Sequence, residues 1–452
     1  MSARALMGET LAMPTSLWAD TAIPAPSTPS LTGKARADVA ILGAGFTGLA
    51  AALALAENGL SVAMLDAAEP GWGASGRNNG QIIPGLKLDP DDVVARYGER
   101  AGEALVRWSG EAPARTFALI ERHGIPCHPV QAGWIQPAYA ECDVAVIERR
   151  HAQWRRRGVN AVMLDRPALP GMLGTPAFFC AWLDPRGGTI HPLNYARGLA
   201  AVAIGAGVRL FTGSKATRLS HAGETWRFET AEGQLEAPRA IVATNAYTED
   251  LVPHLRRSIV PLRTAQVATR PLPDNVRRTI LPGRQGASDT RRLLTSFRLS
   301  PDGRLMMGGS GATGGAHNES LLRHLHRSAR ELFAHLGPLE WEYGWSGYLA
   351  LTPDHVPHIH EPERGILVAL GCNGRGIALS TEMGRMLAER ALGRSAVEMP
   401  LPITPIRTVP FHRFRRPVLA AATAAKRAQD KFDRARGKRP RQDAAMNATR
   451  PR

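Results

Sequence analysis

Cysteine is scarce in this sequence. Its 452 residues hold four, Cys127, Cys142, Cys180 and Cys372, and no two form a CxxC pair. That spacing offers neither a zinc site nor a dithiol redox motif. Thiols so thinly scattered fit a reducing compartment better than a disulfide framework, so a cytoplasmic location is expected. No HExxH motif or Ser/His/Asp set occurs, and no metal site is expected. The first thirty residues carry Arg4, Glu9 and Asp20 and lack an apolar core with a cleavage site, which predicts no secretory signal. No internal repeat is present. One uncharged stretch, Val39 to Ala56, has nearly the length of a membrane span. Its glycines suit an unbroken helix poorly, so it reads as a buried strand turning into a buried helix.

What is present is ordinary in amount and uneven in placement. Apolar residues make up 44% and charged residues 21%, as in a soluble globular protein. The length suits two domains, or one large domain with insertions. The formal charge is +16, but the segment from His412 onward holds thirteen Lys or Arg against Asp430, Asp433 and Asp443, a net +10. The body is therefore only mildly basic. A basic tail of this kind is a solvated end or a weak, nonspecific contact for anionic lipid or nucleic acid. No specific nucleic-acid partner is expected.

The pattern along the chain is α/β at its start. Asp38–Leu42 is a short apolar strand, Thr47–Asn58 an alanine-rich helix closed by Gly59, and Ser61–Leu65 a second strand ending at Asp66. Residues 71–81 are glycine-rich without period and predict a loop. Pro90–His123 has helical spacing, with Val93, Val94, Leu105, Trp108, Phe117 and Ile120 as its buried stripe. After Gly187 the α/β pattern returns, with a strand at Ala240–Thr244 and a last strand–turn–helix at 365–392.

Between the first strand and helix lies Gly43-Ala44-Gly45-Phe46-Thr47-Gly48, a GxGxxG turn. Gly43 permits the tight turn, Gly45 lets a pyrophosphate approach the backbone, and Gly48 lets helix and strand pack closely. The helix N-terminus then faces the phosphates with free N–H groups. Asp66, eighteen residues after Gly48, can accept hydrogen bonds from a ribose. In this strand–helix–strand–Asp setting the turn predicts dinucleotide binding. By itself it does not separate FAD from NAD.

Three further segments resemble the flavin-contacting segments of the D-amino-acid oxidase superfamily. They are Gly71–Gln81, Ala243-Thr244-Asn245-Ala246-Tyr247, and Gly371-Cys372-Asn373-Gly374-Arg375-Gly376. Within that superfamily the chain is most similar to gamma-glutamylputrescine oxidase-like proteins. The resemblance implies FAD as cofactor, contacted by Gly73, Ala74, Ser75, Arg77, Asn78, Asn79, Gly80, Gln81, Thr244, Asn245, Gly371, Asn373, Gly374, Arg375 and Gly376, with Phe46 and Thr47 beside the GxGxxG glycines. Ala216 takes the position whose backbone meets adenine. Trp345–Asp354 resembles a segment in which sarcosine oxidases carry a cysteine bonded to the flavin. Gly347 stands there in this chain, which implies FAD held without a covalent bond. Cys372 stands where related proteins usually have tyrosine.

Arg375, at the start of a helix, is expected to stabilise negative charge on the reduced flavin. Trp345 and Tyr348 are read either as an aromatic wall that holds a cationic amine or as core aromatics. Arg298 reads as a carboxylate ligand or as a surface arginine, and His191 as an active-site group or a helix-start residue. The expected fold class is α/β combined with α+β. A discontinuous, Rossmann-like FAD-binding domain (36–88, 186–250 and 350–410) joins a mixed-sheet substrate domain (89–185 and 251–349). An N-terminal arm (1–35) and a basic C-terminal helix and tail (411–452) flank them. The expected reaction oxidises the C–N bond of a small-molecule amine or amino acid by hydride transfer to flavin, followed by hydrolysis of the imine. The electron acceptor is dioxygen, giving hydrogen peroxide, or else a quinone or carrier protein. A non-catalytic FAD protein that binds partners through its basic tail is the alternative from another class.

Overall fold

The computed structural model describes residues 9–312 and 319–436. The first eight residues of the expected arm and the tail beyond 436 lie outside them. Three apolar runs, Val39–Leu42, Val62–Leu65 and Ile366–Leu370, are buried at every residue. That is what a parallel sheet covered on both faces requires. They belong to one six-stranded sheet in the order 358–363, 366–370, 239–242, 39–42, 62–65, 209–211. All neighbouring pairs are parallel except His358–Glu363, which runs antiparallel to Ile366–Leu370. Helix Phe46–Glu57 packs on helix Gly376–Ala391. They cross closely at Gly384, where a Cβ would lie 2.3 Å from the Thr47 carbonyl oxygen.

A second, eight-stranded sheet runs 341–351, 260–271, 304–312, 295–299, 286–288, 134–137, 181–184, 162–164. It is antiparallel apart from the pairing of Gly286–Ser288 with Trp134–Pro137. Its long strands Val260–Pro271 and Trp341–Leu351 pair along most of their length. A third sheet of four strands pairs Gly33–Arg36 with Gly233–Ala237, Thr225–Glu229 and Arg218–Ala222. The end of the arm is therefore a strand.

Several sequence expectations change in detail. The helical run 90–123 is two helices, Pro90–Tyr97 and Glu99–Arg122, because Gly98 takes a left-handed φ of 79° between them. Of its stripe, Val94 is only half-buried. The 71–81 segment is not all loop, since Ala74–Arg77 makes one helical turn and Gln81–Ile82 pairs with Gly188–Thr189. The C-terminal helix, Arg415–Arg436, is docked rather than detached. Arg292 pairs with its Asp430 at 3.0 Å and its Asp433 at 2.8 Å, and Arg434 donates to the Ala177 carbonyl at 2.6 Å. Among the described residues no helix is long and apolar enough to cross a membrane.

Candidate functional site

A cavity of about 370 Å³ opens where the parallel sheet meets the eight-stranded sheet, and the glycine turn forms one end of it. Gly43 has φ 107°, and a Cβ there would lie 2.9 Å from the Ala243 carbonyl oxygen. Both the backbone conformation and the close approach exclude a side chain. At Gly48 a Cβ would fall 1.9 Å from the Gly43 oxygen, so this glycine serves packing and does not reach the cavity. Gly45, Phe46 and Thr47 line it, presenting the first turn of the helix. Ser75 Oγ accepts from the Phe46 N–H at 3.0 Å.

Asp66 ends the second strand. Its Oδ2 accepts from the Ala44 N–H at 2.6 Å and its Oδ1 from the Ala68 N–H at 2.9 Å. Burial pushes its carboxyl up to about 6, against the lowering effect of those two hydrogen bonds. Asp66 nevertheless lines the cavity.

The other walls are rich in amides. Gly73, Ala74, Ser75, Arg77, Asn78, Asn79 and Gln81 line one side, and Ala216, Thr244 and Asn245 another. Asn79 donates to Gln266 Oε1 at 2.9 Å. Gln81 donates to the Ala287 carbonyl at 3.0 Å and accepts from Ser288 Oγ at 2.8 Å. Asn245 accepts from the Gly371 N–H at 2.9 Å, and Asn373 accepts from the Thr352 N–H at 3.0 Å. Both asparagines have positive φ, 44° and 50°. Together they hold the Gly371–Gly376 turn, of which Cys372, Asn373, Gly374 and Gly376 face the cavity. Burial pushes the Cys372 thiol up. Gly371 and Gly80 do not line the cavity. A Cβ on Gly80 would lie 2.4 Å from both Arg298 Nη1 and the Ile190 oxygen.

Three expected site residues sit elsewhere. The Arg375 guanidinium turns away from the cavity, donates to the Pro84 carbonyl and lies 5.4 Å from the Trp134 ring centre. Burial, reinforced by the charge of Arg150, brings it down to about 9. Trp345 is a core aromatic in a cluster with Leu17 and Trp18, and its indole N–H donates to the Arg77 carbonyl at 3.0 Å. Arg298 is neither a surface arginine nor a cavity group. It is 1% exposed and donates to the carbonyls of Gly80 at 2.8 Å and Ile190 at 2.7 Å. Tyr348 does line the cavity, where its hydroxyl accepts from Arg263 Nε at 3.2 Å. His191 caps the helix Pro192–Gly205, accepting at Nδ1 from the Asn194 N–H at 3.1 Å.

Sequence reasoning missed Lys87, Lys215, Gln266 and His355 on the cavity wall, and Leu419, Ala422, Thr423 and Lys426 of the C-terminal helix. No local motif marks any of them. Only the half-apolar pattern of residues 415–436 hinted that this helix covers something.

The residues fit a dinucleotide carrying a flat ring. The glycine turn leaves no room for side chains, a helix N-terminus opens on the cavity, a carboxylate stands at the end of the second strand, and amides line the remainder. The comparisons agree. Residues 38–390 match the family model described as FAD dependent oxidoreductase. A probable oxidoreductase OrdL of Rhizobium meliloti is 32% identical over 92% of this chain and 97% of the relative. The gamma-glutamylputrescine oxidoreductase of Escherichia coli is 32% identical over 79% of this chain and 84% of the relative. The solved glycine oxidase of Geobacillus kaustophilus superposes with a TM-score of 0.70 at 23% identity, covering 82% of this chain and 99% of that one.

Proposed function

Because the chain belongs to the family of FAD dependent oxidoreductases, we propose that it oxidises the C–N bond of a small amine in this cavity, with dioxygen as electron acceptor. The observation that carries the reading is the joining of four distant segments, 43–47, 66–81, 244–252 and 372–377, around one cavity. FAD, when bound, supplies the two-electron chemistry. The protein supplies position and exclusion of water.

The Gly43–Thr47 turn and helix N-terminus would hold the pyrophosphate, Asp66 would accept from the adenosine ribose, and Ala216 would meet adenine. Gly73–Ser75, Arg77–Asn79, Gln81, Asn245 and Cys372–Gly374 with Gly376 would cradle the ring system without a covalent bond. Residues 36–88, 186–250 and 350–410 act as the cofactor domain, and residues 89–185 and 251–349 as the substrate domain. Tyr348, held by Arg263, offers an aromatic face and a fixed hydroxyl to the substrate. The Gln266 amide, oriented by Asn79, offers a hydrogen bond beside it. The neutral form of the amine reacts, and water hydrolyses the imine product to a carbonyl compound and an amine or ammonia.

Gamma-glutamylputrescine is the first substrate to try, on the likeness to the Escherichia coli relative. Turnover in an oxygen electrode with matching hydrogen peroxide supports an oxidase. Reduction only with an artificial acceptor overturns the assignment of dioxygen.

A further inference from the structure

The basic side chains that line the cavity divide into two kinds. Arg77 pairs with Glu9, Lys215 with Glu249 at 3.0 Å, and Arg292 with Asp430 and Asp433 of the C-terminal helix. Lys87 and Lys426 have no acid partner and no hydrogen bond among the described residues. Both line the cavity, as does His355.

These three come from separate segments. Lys87 follows the strand Gln81–Ile82. His355 sits in the turn between strands Trp341–Leu351 and His358–Glu363, at φ 60°, and Lys426 projects from helix Arg415–Arg436. They are close enough to act on one another. Burial, then the charges of Arg375, Arg150 and Lys426, brings the Lys87 ammonium down to about 8. Burial, then Lys87 and Lys426, lowers His355, with Arg96 adding to the effect and Asp354 opposing it. The Asp354 carboxylate is already engaged, by His358 at 3.0 Å and by the Val356 N–H at 3.2 Å. The two ammonium groups, neither with an acid partner, repel each other, and an anionic ligand between them removes that repulsion.

We propose that helix Arg415–Arg436 completes the substrate chamber, and that Lys426, Lys87 and His355 form a corner that binds a carboxylate carried by the substrate away from the oxidised C–N bond. The proposal rests on the reading of this cavity as an amine-oxidising site. The helix lies outside residues 38–390, the part shared with the family model. Its cavity face therefore adds specificity to a common core. It is held firmly enough to do so, since Thr423 and Asp430 are buried and Leu419, Ala422, Arg427, Asp433 and Arg434 are half-buried.

The test uses the full-length, flavin-loaded protein and a probe that cannot be oxidised. Glutarate is titrated by calorimetry beside its neutral diamide, glutaramide. Glutarate binds and glutaramide does not. Lys426→Gln and Lys87→Gln each weaken glutarate about tenfold, as for a hydrogen bond to a charged group, and Lys426→Arg retains most of the affinity. With amines, the ratio of kcat/KM for gamma-glutamylputrescine over putrescine falls by a similar factor in Lys426→Gln, through KM. Equal binding of glutarate and glutaramide, or glutarate affinity unchanged in both variants, overturns the proposal. So does a matching fall in FAD affinity, because the corner would then serve the cofactor. If no amine reduces the flavin, the assigned reaction fails, and the glutarate titration still decides the corner.

Discussion

Replacing Asp66 by Asn tests how the dinucleotide is held. In the FAD-free protein the Asp66 carboxyl keeps its proton up to about pH 6 because burial disfavours the charge. The folded form thus binds this proton more tightly than the unfolded chain, whose carboxyl has a value near 3.8. Stability of the FAD-free protein is accordingly lost as pH rises from 3.8 through about 6. Ribose hydroxyls donate to the carboxylate and favour the charged form, so FAD binding expels the proton. Affinity is then full above about pH 6 and falls as pH drops below it.

The gap between 3.8 and about 6 corresponds to at most ~3 kcal/mol, at ~1.36 kcal/mol for each tenfold change in proton affinity. Asp66 is half-buried at the cavity wall, where water screens part of that. Roughly half is expected, which is about a tenfold rise in the FAD Kd between about pH 7 and pH 5. Fluorescence titration of FAD into apoprotein at each pH measures it, and Asp66→Asn should flatten the curve while weakening binding at neutral pH. A flat profile in the wild type, or an unchanged slope in Asp66→Asn, refutes the role of this carboxylate.

Gly45→Val would place side-chain atoms against Ser75 Oγ, only 2.9 Å from the Cβ position, and push that hydroxyl off the Phe46 N–H. The variant should keep its far-UV circular dichroism and purify with less than about a tenth of the wild-type flavin. Arg298→Met leaves the Gly80 and Ile190 carbonyls without their donor. The expected loss is about 1–3 kcal/mol in urea unfolding, after relief of the buried charge. Arg375→Met, in contrast, should alter stability more than the flavin's reduction potential, because the guanidinium faces Pro84 and Trp134. Cys142 is exposed and the other three thiols are buried, so a thiol reagent should modify Cys142 first in the native protein and all four after unfolding.

The cofactor half of the site was legible because its chemistry is local. A turn, a helix start and a strand end within residues 39–66 each have a short-range signature, and the structure changes their bounds by one residue. What failed to show in the sequence depends on distant contacts. Arg298 looks like a surface residue until the backbone at Gly80 and Ile190 folds across it. Arg375 begins a helix as expected, but Pro84 and Trp134 turn its side chain aside. The C-terminal helix reads as a charged tail because Arg292, the residue that meets its Asp430 and Asp433, lies more than a hundred residues earlier. Some strands were overlooked despite a signal. Thr225–Glu229 alternates between buried and half-exposed residues, with Trp226 and Phe228 facing inward.

The central claim is that this cavity holds FAD and passes it electrons from an amine. Its most direct test is anaerobic titration of the purified, FAD-reconstituted protein with gamma-glutamylputrescine, followed by visible absorbance. Loss of the yellow flavin band at one equivalent of amine, restored by admitting air, is the predicted result. A protein that stays colourless after incubation with FAD, or stays yellow with this and every other amine offered, would contradict the account.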